Sequence, residues 1–174
     1  MMKKLIFISV LALAVFFTDK LPQVTVKKIP MSQPTPTELF MKRVAHIESG
    51  GNHNITNEFG MMGKYQFSPN TVRVLGFNVS KKQFLQNPDL QDSVMLAYMK
   101  ANHRELAPLI KKYNGKVIRG VKITRAGILA GAHFAGSGGV RAYLTGTGTN
   151  IADARGTTLT KYMTYFSNFN LPQI

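Results

Sequence analysis

Three features of the chain predict a mainly α-helical domain over residues 36–170. A capping residue followed by proline recurs at Thr35-Pro36, Ser68-Pro69 and Asn87-Pro88, the arrangement that opens helices. Within the segments so opened, apolar residues return at three- and four-residue intervals. Outside the N-terminal apolar run, β-branched alternation is confined to residues 117–123.

The elements follow in order. Thr35 as N-cap, Pro36 at the first helical position and Glu38 at the third form a capping box. Phe40, Val44 and Ile47, flanked by Leu39, mark the face expected to be buried; Glu48 comes next, at the edge of that face, and Gly50-Gly51 stop the helix. A Gly- and Asn-rich loop follows, with a small or vestigial β-hairpin expected around residues 59–67. Ser68-Pro69 opens a short helix to Leu75, ended by Gly76, and residues 80–85 suit another short turn. Asn87-Pro88 opens a long helix to about His103. Pro108 and Asn114-Gly115 make residues 104–113 a separate or kinked segment. Residues 117–123 read as a loop or one poor strand. Residues 124–135 are rich in small side chains, which let backbones approach closely, and predict the central buried helix. Gly136-Ser137-Gly138-Gly139 then turn into a short helix to Leu144, and Thr157 or Thr158 caps a last helix carrying Leu159, Tyr162, Met163 and Phe166.

Length and composition narrow the class. The chain has 174 residues, 44% of them hydrophobic and 17% charged, which suits one globular domain and not a disordered chain. A net charge of +14 and a pI near 10.2 imply an anionic partner: nucleic acid, an anionic membrane surface or an acidic cell-wall polymer. Residues 5–17 are an uncharged apolar run behind a basic start, the layout of a secretory signal or signal-anchor, and short for a bilayer span. Ala12-Leu13-Ala14 is the small-residue triplet available for cleavage, but the apolar run continues past it. Residues 18–35, proline-rich and aperiodic, read as an extended linker. The expected product is exported, periplasmic or secreted, or tethered to the membrane through residues 5–17. Residues 1–20 hold three lysines and one aspartate, so +12 belongs to the body. With no cysteine, disulfides, lipid attachment through a lipobox and thiolate metal sites are excluded.

Against 22 Lys and Arg stand only 8 Asp and Glu, so each carboxylate stands out. Glu48, between an apolar helix face and a polar loop, is the candidate general acid, because such a boundary raises a carboxyl pKa. Glu58, ten residues on in the loop, is a candidate second carboxylate, with an exposed loop charge as the plainer reading. His46 and His53 flank Glu48, but their spacing is not the one-turn helical pair of a zinc protease and glycines intervene, so no metal site is expected. Lys81-Lys82, Lys111-Lys112, Arg119, Lys122 and Arg125 accompany no nucleic-acid motif and read as a solvated face that attracts anionic wall polymer.

Glu48-Ser49, the Asn52, Asn54 and Asn57 loop, and Gly63-x-x-Gln66 resemble the Glu-Ser … Gly-x-x-Gln pattern of soluble lytic transglycosylases and goose-type lysozymes. Residues 132–140, Ala-His-Phe-Ala-Gly-Ser-Gly-Gly-Val, are similar to that family's Ala-Tyr-Asn-Ala-Gly-Pro-Gly-x-Val helix and turn. The resemblance covers roughly residues 38–144. It implies a lysozyme-like α+β domain, monomeric and without cofactor, that cleaves peptidoglycan glycan strands between N-acetylmuramic acid and N-acetylglucosamine. Glu48 would be the sole acid/base; attack by the muramic acid C6 hydroxyl gives an anhydro end, attack by water a reducing end. By the same resemblance Ser49 orients Glu48 and Gln66 contacts substrate; otherwise Ser49 bonds its own helix backbone and Gln66 satisfies loop amides. Tyr65, where the family often has Met, reads as a sugar-stacking platform or as core. His133 replaces the Tyr that reaches toward the acid and is expected near Glu48, with Phe134 in the Asn position.

Overall fold

A computed structural model of the chain describes residues 33–153 and 155–172. The expected signal or signal-anchor, residues 1–17, and residues 18–32 of the expected linker lie outside them. Six helices follow in order: α1 (Pro36–Ser49), α2 (Pro69–Val74), α3 (Lys81–Gln86), α4 (Pro88–Tyr113), α5 (Arg125–Thr145) and α6 (Leu159–Tyr165), with a two-stranded antiparallel hairpin, β1 (Val117–Ile118) and β2 (Val121–Lys122), between α4 and α5. Among the described residues the protein is thus mainly α. No helix among them is long and apolar enough to cross a membrane.

The Thr35–Glu38 capping box forms as expected, and Gly50 closes α1 in the left-handed region, its N–H on the His46 carbonyl. The buried stripe of α1 differs from the predicted one. It is Phe40, Met41, Val44 and Ala45, whereas Ile47 is 40% exposed and Leu39 45% exposed. Positions 40, 44 and 48 repeat every four residues and so share a face. Glu48 therefore lies on the line of the buried stripe itself.

Helix α4 corrects a second expectation: it runs unbroken through Pro108 to Tyr113. Proline removes one amide donor, from the bond to the carbonyl of Arg104, but both residues face water, which can take its place. On the opposite side Leu106, Leu109 and Ile110 are buried and hold the last turns down. Residues 117–123, read as a loop or one poor strand, hold the hairpin over 117–122, with positive φ at Arg119 and Gly120 as a tight two-residue turn requires. The hairpin expected near residues 59–67 reduces to single bridges, Thr56 with Met62 and Met62 with Phe67.

Helix α5 is the centre. Ala126 to Ala132 are all buried, and Gly136 (φ 72°, ψ 164°) divides it into two helical segments, as the Gly136–Gly139 run predicts. One side of α5 meets a core containing Phe40, Val44, Met95, Met99 and Phe166. The other meets a core of Leu106, Ile110, Val140, Tyr143 and Met163. A Cβ on Gly127 would stand 2.8 Å from the Met163 carbonyl oxygen, and one on Gly131 2.9 Å from Leu159 and Met163 side-chain atoms. The missing side chains are what let α6 pack this closely.

Between α1 and α2 one buried side chain braces the loop from within. Gln91, fully buried on α4, accepts from the Lys64 N–H at 2.8 Å and donates to the carbonyls of His53 and Phe84, each at 2.9 Å. Gly63 lies against it: φ is +70°, and a Cβ there would fall 2.3 Å from the Gln91 Oε1. Gly50 shares the positive φ (+66°) but has open space around it. Gly50→Ala is therefore expected to cost about 1 kcal/mol of unfolding free energy, the left-handed strain alone. Gly63→Ala adds a clash and a disturbed buried amide, for a loss of about 3 kcal/mol or more. Urea denaturation of both variants checks this, and equal losses would refute the bracing role of Gln91.

Candidate active site

The site assembles where the end of α1, the middle of α5 and α6 converge. Glu48 projects from the last turn of α1 with its side chain 23% exposed. The Tyr162 hydroxyl, from α6, donates to Glu48 Oε1 at 2.7 Å. His133 Nε2, from α5, stands 3.7 Å from the same oxygen. That separation exceeds a hydrogen bond. Both neighbours face Oε1, and among the described residues Oε2 has no hydrogen-bond partner.

The two neighbours are themselves fixed by aromatic packing. Phe134 stacks on Tyr162 with ring centroids 5.1 Å apart. His133, its side chain only 7% exposed, meets the rings of Phe67 and Tyr98 edge-on at 5.4 and 5.7 Å. Its Nδ1 is buried without a partner among the described residues. Burial pushes the imidazole's pKa below its ordinary value, outweighing the opposing pull of the Glu48 charge and the Tyr65 backbone. At neutral pH His133 is thus uncharged, a polar wall rather than an ion-pair partner. Burial, then the Glu48 charge, push the Tyr162 hydroxyl well above the usual tyrosine range, so it stays protonated and donates.

The remaining sequence-derived candidates fall in different places. Ser49 does not touch Glu48: its hydroxyl donates to the Lys64 carbonyl at 2.9 Å and to the Ala45 carbonyl at 3.3 Å, pinning the helix end to the loop. The cause is angular, since neighbouring helix residues point about 100° apart. Gln66 (φ 53°) turns its amide onto the Gly63 carbonyl at 2.8 Å, closing its own turn. Tyr65 is 2% exposed; its ring belongs to the core and offers no platform, and its hydroxyl donates to Asp92, which also pairs with Lys64 at 2.8 Å. Glu58 is exposed in the loop and has no hydrogen bond or ion pair with Glu48. Asn52 and Asn57 accept backbone amides of their own loop, Asn54 for the first and Phe59 and Met61 for the second. Their side chains shape the loop instead of lining a site.

Tyr162 is the site residue that sequence reasoning places only in the core. Its reach to a residue 114 positions earlier leaves no mark in local spacing. Gln91 had a signal: an amide one turn before Val94 and Met95, on an otherwise apolar stripe.

Hollows lie on either side of the end of α1. One of about 530 Å³ is lined by Arg43, Ile47, Lys161, Tyr162 and Tyr165; a larger one of about 990 Å³ runs toward Lys64, Asp92 and Lys100. His46 borders both, while the Glu48 carboxylate lines neither. Its hydrogen bond to Tyr162, a lining residue of the smaller hollow, ties it to that one.

A lowered histidine pKa carries a sign. The unfolded chain takes up the proton near the ordinary value of 6.5, while folded His133 resists it to lower pH. Stability is therefore full above that value and falls as pH drops below it. Urea midpoints of wild type and His133→Gln between about pH 7.5 and pH 5 check this, with a shallower fall expected in the variant. His103, also lowered by burial, contributes the same slope to both. Identical slopes would refute the assignment.

Compared with protein-family models, curated proteins and solved structures, the chain has no significant match in any of the three.

Proposed function

We propose that the protein cleaves the β-1,4 bond between N-acetylmuramic acid and N-acetylglucosamine in peptidoglycan, by a lytic transglycosylase mechanism with Glu48 as the single acid/base. The observation that carries the reading is the setting of Glu48: one partly buried carboxylate, Oε1 held by the Tyr162 hydroxyl and Oε2 left for a substrate. The order of Glu48-Ser49, Gly63-x-x-Gln66 and the residue 132–140 segment supports it, and so does the basic body, which would be drawn to an acidic wall polymer.

In this reading protonated Glu48 delivers its proton through Oε2 to the glycosidic oxygen as the bond to C1 breaks. The carboxylate so formed takes the proton of the muramic acid C6 hydroxyl as that oxygen closes on C1. Tyr162 holds the carboxyl rotamer, and uncharged His133 leaves no fixed cation beside it. A hydrolytic muramidase, in which water replaces the C6 hydroxyl, is the second reading; the exposed position of Glu58, away from any contact with Glu48, favours the first. A glycan-binding protein without catalysis would have no need of Glu48.

Purified peptidoglycan is the test substrate. Glu48→Gln is expected to lower the release of soluble muropeptides by about a thousandfold. Tyr162→Phe is expected to lower kcat by about tenfold, with KM little changed, since it loosens the acid and not the glycan. After borohydride treatment, transglycosylase products resist reduction because their ends are anhydro sugars, whereas muramidase products gain hydrogen. Reducible ends would select the hydrolytic reading; full activity in Glu48→Gln would sink both.

A further inference from the structure

We propose that the 530 Å³ hollow between α1 and α6 is a binding subsite for the acidic peptide that muramic acid carries, a short chain of small aliphatic residues with free carboxylates. This rests on the peptidoglycan reading above. Arg43 and His46 from α1 and Lys161 from α6 line the hollow, and no acidic residue does. Among the described residues neither Arg43 nor Lys161 forms an ion pair. The Arg43 guanidinium lies over the Tyr165 ring, 4.5 Å from its centroid. That cation–π contact holds the guanidinium at the hollow without using up its N–H groups, which can take a carboxylate through a pair of bonds.

The apolar walls point to the peptide. Ile47 is 40% exposed and Tyr165 45% exposed, an aliphatic and an aromatic surface set beside the cations. Alanine-sized side chains would cover them, whereas a phosphate-rich polymer has nothing to do so. The volume falls in the range of small-ligand pockets, roughly 300–1,000 Å³. Position completes the case: Tyr162 both lines the hollow and donates to Glu48. A muramic acid ring at the acid would therefore carry its peptide into the hollow's mouth.

Digestion of glycan strands with their peptides intact, and of strands stripped of them by an amidase, separates the contributions. Wild type is expected to show a KM about a hundredfold lower on peptide-bearing strands, and Arg43→Gln/Lys161→Gln to bring the two within about threefold, each lost charged contact being worth roughly tenfold. Wild type without discrimination, or a double variant that keeps it, overturns the proposal. Both positions are exposed, and a melting temperature within a few degrees of wild type is expected. Calorimetric titration with the free peptide gives a readout independent of cleavage. Saturable binding at least tenfold weaker in the double variant supports the subsite; no binding by wild type, or inorganic phosphate bound as tightly as the peptide, overturns it. Peptide binding that depends on Arg43 and Lys161 in a protein that cleaves no glycan would retain the subsite and reject the catalytic reading.

Discussion

The close seating of α6 on α5 is the contact on which the candidate site depends. It exists because Gly127 and Gly131 present hydrogen where any side chain would meet the Met163 carbonyl or the side chains of Leu159 and Met163. With α6 in that groove, Tyr162 lies beside Phe134 and reaches Glu48 across the end of α1. A wider separation of the helices would withdraw the hydroxyl and leave the carboxylate with a histidine beyond bonding distance. The small residues of α5 thus set both the helix packing and the Tyr162–Glu48 hydrogen bond through the same close approach.

A second restraint acts on the loop that follows Glu48. Isolated bridges leave backbone groups of this loop unpaired, and one buried amide, Gln91, takes up two of them, at residues 53 and 64, while also binding the Phe84 carbonyl of α3. Ser49 adds a bond from the helix end to the Lys64 carbonyl, and Asp92 anchors Tyr65 and Lys64 to α4. Ser49, Tyr65 and Gln66, singled out by resemblance, bond within the loop and its anchors. Their spacing is that of a folded turn, and the same spacing serves either purpose.

His133 and Phe134, the two residues that differ from the pattern the 132–140 segment resembles, fit together physically. A tyrosine hydroxyl reaches Glu48 from α6, and not from residues 132–135 of α5. Phe134 supplies the flat surface that sets the Tyr162 ring, an office an asparagine side chain would not fill. His133, walled in by Phe67 and Tyr98, is kept uncharged by burial. The carboxyl group is therefore bordered by one neutral donor and one neutral ring, in a protein whose surface is strongly cationic.

The part of the structure legible in the chain is local and periodic. Helix starts at Thr35, Ser68, Asn87 and Thr124, the stop at Gly50, and the break at Gly136 all follow from caps, prolines and glycines whose effect extends no further than a turn. The position of Glu48 at the end of α1 is legible for the same reason. Tertiary structure decided the rest. Ile47 lost its place in the core because the neighbours of α1 meet the 40–44–48 line, and α4 stayed whole because burial of Leu106 and Ile110 outweighs one missing bond at an exposed proline. Above all, the pairing of Glu48 with Tyr162 joins residues whose relative placement depends on how four intervening helices pack. No local propensity encodes that distance; it is set by which side chains, and which glycines, the two cores bring together.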